Sequence, residues 1–163
     1  MSMSPMTMAR RQLLVLAAVT SALSLMLVPA VGAQDLLLTI TPATISFASA
    51  DPDTTPSIAA PAITVRYYVR NNDTGSWQIS LLATSDLTAG TATIGINNVT
   101  WTASPAPPFQ AGTLSRTLAQ TLASGTGTVQ GNRTGTVVFS LANSWTYNVG
   151  SYSTSVVFTL TAP

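Results

Sequence analysis

The sequence predicts an all-β protein: a single antiparallel β-sandwich, immunoglobulin-like or jelly-roll-like, after an N-terminal signal helix. Three observations carry that prediction. Thr, Val, Ile, Tyr, Phe and Trp dominate the apolar segments and fit a pleated, half-buried surface, whereas the helix formers Glu and Lys are missing from all 163 residues. Beyond residue 34, apolar residues recur with a period of two and not of 3.6, as a strand with one face in a core requires. The candidate strands are spaced by roughly 8 to 20 residues with Gly, Pro or Asn at the joints, which suits two antiparallel sheets better than a parallel sheet with crossover helices.

Residues 1–33 read as an export signal. Arg10 and Arg11 form a short basic region, and Leu13 to Val28 is nearly all apolar. Val31-Gly32-Ala33 then places small residues at positions −3 and −1 of a signal-peptidase site, with cleavage before Gln34. Those sixteen residues approach the length of a transmembrane anchor, but Pro29 and the small-residue site favour cleavage. Ala9-Arg10-Arg11-Gln12-Leu13-Leu14 resembles a twin-arginine signal, although the leucine-rich core fits the general secretory route better. The expected organisation is a signal peptide, 1–33, and one β-sandwich domain, 34–163. The expected location is secreted, extracellular or at the cell surface.

In the domain, Leu36, Leu38 and Ile40 share one face of a first strand, ended by Pro42. Ile45 and Phe47 mark a short second piece before a loop rich in Asp, Pro and Thr, Ser49 to Pro61. Ile63, Val65, Tyr67 and Val69 then alternate with Thr64, Arg66, Tyr68 and Arg70. Asn71-Asn72-Asp73-Thr74-Gly75 supplies turn residues, and Trp77, Ile79 and Leu81 resume the alternation, which predicts a hairpin from Ile63 to Ala83. Further strands are expected at Ala92 to Ile96, Val99 to Ala103, Thr113 to Leu118, Gly135 to Leu141 and Tyr152 to Thr161. A turn of helix is expected at Asn143 to Trp145. Pro105-Ala106-Pro107-Pro108 is a stiff loop, since Pro fixes φ and offers no N–H to a ladder. The echo between Thr126-Gly127-Thr128-Val129 and Thr134-Gly135-Thr136-Val137 reflects Thr/Gly usage and is too short for a structural repeat.

Composition narrows function. The chain has no His, Cys, Lys or Glu, the residue types on which acid–base catalysis, covalent catalysis and transition-metal binding mostly draw. Past residue 33, Arg66, Arg70, Arg116 and Arg133 face five aspartates, a net charge of −1 against +1 for the whole chain. Four scattered arginines make neither the basic stripe that nucleic acid needs nor a polybasic membrane patch. The expectation is no nucleic-acid partner and, after signal cleavage, no membrane partner. No cofactor is implied.

Val149-Gly150-Ser151-Tyr152 leading into Ser153-Thr154-Ser155-Val156-Val157-Phe158-Thr159-Leu160-Thr161 resembles the last hairpin of bacterial surface β-sandwich domains, of WxL-like or fimbrial type. Val99-Thr100-Trp101-Thr102 adds to the resemblance. Where Trp-x-Leu pairs are expected, the chain reads Trp101-Thr102-Ala103 and Phe158-Thr159-Leu160. The resemblance therefore implies architecture and surface location, not peptidoglycan binding.

Among the aromatic residues, Trp77 and Trp101 fall in phase with apolar neighbours and are expected in the core, where each ring can bury about 150–250 Å². Tyr68 lies out of phase beside Arg66 and Arg70, and Trp145 and Tyr147 lie in a connection rich in Asn and Gly. Tyr68, Trp145 and Tyr147 are thus the candidate ligand-binding residues. Asp51, Asp53 and Asp73 are candidate Ca²⁺ ligands, although ordinary turn chemistry also accounts for them and Ca²⁺ needs six to eight oxygens. An Asp pair acting in glycoside hydrolysis would need one carboxyl buried and facing the other across a cleft, and polar turns offer no such burial. The expected function is non-enzymatic: a binding or adhesion module for a cell-surface glycan or protein. The alternative is a fimbria-like subunit that self-associates by exchanging the strand Gln34 to Thr41, whose Leu36, Leu38 and Ile40 suit insertion into another sheet as well as an ordinary first strand.

Overall fold

The computed structural model describes residues 35–70 and 75–162. Residues 1–33, expected to be an export signal, and Asp73 therefore lie outside the described residues. The strands in chain order are β1 (Asp35–Thr41), β2 (Ser57–Ala59), β3 (Ile63–Arg70), β4 (Ser76–Ala83), β5 (Leu87–Ala89) and β6 (Ala92–Ile94). A 3-10 turn, Ile96–Asn98, leads into β7 (Val99–Ser104), β8 (Gly112–Thr113), β9 (Gln120–Thr126), β10 (Val129–Ala142) and β11 (Val156–Thr161). One sheet runs β1-β3-β10-β7-β8, with β2 added to the far end of β10. The second runs β11-β4-β9, and β5 and β6 form a small hairpin. Every strand pairing is antiparallel, so the predicted all-β antiparallel sandwich is the fold observed.

Period-two alternation builds both layers. In β3, Ile63, Val65, Tyr67 and Val69 are buried while Thr64, Arg66 and Arg70 are exposed; in β4, Trp77, Ile79, Leu81 and Ala83 are buried. The expected β3–β4 hairpin does not form: β3 pairs with β1 and β10, β4 with β11 and β9. Within one sheet, both apolar stripes would face the same way and need cover from elsewhere. In separate sheets each covers the other, and the Tyr67 and Trp77 rings meet across the core at 5.0 Å. The terminal strand behaves similarly, since β11 pairs with β4 and not with β10. It begins at Val156, later than expected, and Ser153 makes only an isolated bridge to Thr88.

Three glycines are placed by aromatic rings. Trp77 lies directly opposite Gly125 and Trp101 opposite Gly112, and Phe109 covers Gly135. A Cβ on Gly125 would lie 2.6 Å from the Trp77 ring, and one on Gly112 or Gly135 would run into Trp101 or Phe109. A glycine inside a strand here marks a close approach. Phe109 reaches its position because the Pro105–Pro108 loop closes as a turn, with the Phe109 N–H donating to Pro105 O at 3.1 Å. The following Gln110 N–H donates to Leu122 O at 2.9 Å, covering the outer edge of β9. The two Thr-Gly-Thr-Val segments differ in conformation: Gly127 turns the chain between β9 and β10 at φ +71°, whereas Gly135 is extended under Phe109.

The opposite flank is less closed. β1 and β11 lie side by side there without pairing, and Leu36, Leu38 and Leu160 are half-buried against the core.

Candidate functional site

The site forms at the end of the sandwich where β10 finishes and β11 begins. Pairing of Ser57–Ala59 with Ser140–Ala142 draws the loop before β2 beside the loop after β10. Asn143 then fastens the two. Its backbone N–H donates to Pro56 O at 2.8 Å, and its Nδ2 donates to Ala50 O at 3.1 Å and to Thr55 O at 3.0 Å.

Each loop is shaped by its own polar residues. In the first, Asp51 O accepts the N–H groups of Thr54 and Thr55, and Asp51 Oδ1 accepts the Asp53 N–H at 2.9 Å, an Asx turn. In the second, Ser144 Oγ accepts the Thr146 N–H at 3.2 Å, and the Tyr147 N–H donates to Ser144 O at 3.3 Å. The expected turn of helix at Asn143 to Trp145 is a single turn over Ser144–Tyr147: the Ser144 side chain accepts the Thr146 N–H as a helix N-cap does, but no helix follows. Trp145 at the crest of that turn is 51% exposed, and its Nε1 donates to Asp53 Oδ1 at 3.0 Å. Tyr147 is half-buried against the core, and burial pushes its phenol above the usual value. Tyr152, fully buried, donates its hydroxyl to Asn148 O at 2.9 Å and so pins the loop from below, in the manner of the tyrosine corner of β-sandwiches.

Trp145, Tyr147, Asp51 and Asp53 are thereby gathered at one end. Tyr68 is not among them: it lies on the outer face of β3, opposite Leu37 of β1, with Arg66 and Arg70 on the same face. Trp77, Trp101, Tyr67 and Tyr152 are core residues. Of the candidate Ca²⁺ ligands, Asp51 and Asp53 share a turn in which one oxygen of each already accepts a hydrogen bond. No group of three or more His, Cys, Asp or Glu gathers among the described residues. The other two described carboxylates are also engaged. Asp86 accepts the Ile96 N–H at 2.9 Å and pairs with Arg116 at 3.3 Å, and Asp35 lies 3.7 Å from Arg70.

The Trp145–Asp53 contact joins residues far apart in sequence, and periodicity could not reveal it. Its only sequence signal is that both lie in polar connections flanking strands. No protein-family model matches the chain, and no curated protein is similar to it in sequence.

Proposed function

We propose that the chain is a non-enzymatic, exported β-sandwich of the cell surface or extracellular space, a binding or adhesion module for glycan or protein whose contact surface is the loop end built around Trp145. The observation that carries this reading is the half-exposed indole of Trp145, held upright by the Asp53 carboxylate at 3.0 Å when the other two indoles are buried. A rigid aromatic face with a polar handle at its edge gives contact area at low entropic cost, which is why Trp is frequent at binding hot spots. The absence of His, Cys and Lys, and the engagement of each described carboxylate in a turn or ion pair, support contact over catalysis.

A glycan array and a panel of cell-surface fractions test this reading. Binding is expected, and Trp145→Ala is expected to abolish it without changing the circular dichroism of the fold. Absence of binding to any carbohydrate or surface fraction would sink the proposal.

The flank between β1 and β11, with half-buried Leu36, Leu38 and Leu160, favours a second reading, a subunit that polymerises by strand exchange. Against it, β1 pairs with β3 of its own chain over all seven residues.

A further inference from the structure

Charge is divided between the two ends of the sandwich. Among the described residues, the Trp145 end carries Asp51, Asp53 and the Asp86–Arg116 pair, so its unbalanced charge is negative. Toward the other end, the outer sheet surface carries Arg66 and Arg70 against Asp35. Each region also exposes apolar surface: Trp145 and Val149 at the acidic end, and at the basic one Leu37, 37% exposed, paired across the ladder with Tyr68.

We propose that the Trp145–Asp53 end of one copy docks on the Tyr68–Arg66–Arg70 patch of a second copy, so that the protein associates head to tail. This names a partner for the proposed contact surface and rests on that reading. The chain has no Lys, so Arg is the only cationic side chain a second copy offers. A guanidinium suits this end on two counts: it stacks on an indole face and pairs with a carboxylate in the same approach. The free Oδ2 of Asp53 and the carboxylate of Asp51 supply that negative charge, and hydrogen bonding of the indole N–H to a carboxylate makes the ring a better partner for a cation. On the receiving patch, the Arg70–Asp35 pair is long, at 3.7 Å, with side chains 61% and 66% exposed, and exposed pairs of this kind exchange partners at little cost. The two patches lie toward opposite ends of the sandwich, so the contact is heterologous and continues from copy to copy as a ring or an open chain.

Sedimentation velocity of the purified protein over a concentration series tests this. The mass is expected to rise with concentration at low salt and to return toward a single subunit at about 0.5 M NaCl, where exposed charges are screened within several ångströms. Asp53→Arg and Arg66→Asp are each expected to lower the association constant at least tenfold, with unchanged circular dichroism. An equimolar mixture of the two is expected to associate again, because each offers the other an end of opposite charge. A single-subunit mass at every concentration, association undiminished in either variant alone, or failure of the mixture to associate would overturn the proposal. Assemblies that survive both charge reversals and vanish with Leu38→Asp belong to strand exchange and would overturn it equally. Trp145-dependent binding on the arrays without self-association would overturn this inference while leaving the contact reading standing.

Discussion

Trp77 and Trp101 lie in strands, each opposite a glycine, whereas Trp145 lies in a turn opposite a carboxylate. The same side chain is core in two places and surface in the third. In a ladder, the missing Cβ of Gly125 or Gly112 leaves a recess that the neighbouring ring fills, so burial is settled by the cross-strand partner. At the crest of the Ser144–Tyr147 turn there is no opposing strand, and the ring is positioned instead by one hydrogen bond to Asp53. A tryptophan's role here follows from what faces it.

The largest expected effect tests that contrast. Trp77→Ala should cost about 3–5 kcal/mol in urea unfolding, the range for removing a large buried aromatic, while Trp145→Ala should stay within about 0.5 kcal/mol. Equal losses would break the distinction between the two settings. Next in size is Gly135→Ala, which forces a Cβ against Phe109 and should cost about 1–3 kcal/mol by overpacking. Adding Phe109→Leu should recover part of that loss, and strict additivity in the double-mutant cycle would show that ring and glycine are not coupled.

The smallest effect concerns pH. Tyr67 packs between Trp77 and Phe109, and burial holds its phenol above the usual value, partly opposed by the Arg133 charge. A raised folded value means that this contribution is complete below the unfolded pKa of about 10 and is lost as pH rises through the folded one. Thermal midpoints should therefore hold steady through neutrality and fall above about pH 10, with a shallower fall in Tyr67→Phe. An identical alkaline slope in the variant would remove Tyr67 as its source.

Much of the fold was legible because alternation survives wherever large side chains form the core face, as in β3, β4 and β7. β9 was missed for the opposite reason. Only Leu122 is large in Gln120–Thr126, Ala123 beside it is also buried where the ladder with β4 shifts register, and the rest of the volume is supplied by Trp77 over Gly125. The hairpin expected from Ile63 to Ala83 failed because Asn71 to Gly75 reads as a turn whether the chain reverses within a sheet or passes to the other layer. At the site, Trp145 and Tyr147 were legible as residues of a polar connection, and Tyr68 as out of phase. The pairing of Trp145 with Asp53 was not, because it depends on β2, three residues hidden in a loop of Asp, Pro and Thr.

The ring-over-glycine contacts constrain how this sequence can diverge. Trp77 with Gly125, Trp101 with Gly112 and Phe109 with Gly135 each behave as one shared volume divided between two distant codons. A single step at the glycine creates a clash and a single step at the ring leaves a void, so descendants reach a different division of that volume only by changing both members. Homologues should accordingly keep or lose each of these three couples as a unit, while the Trp145 turn, which shares its space with solvent, is free to change one residue at a time.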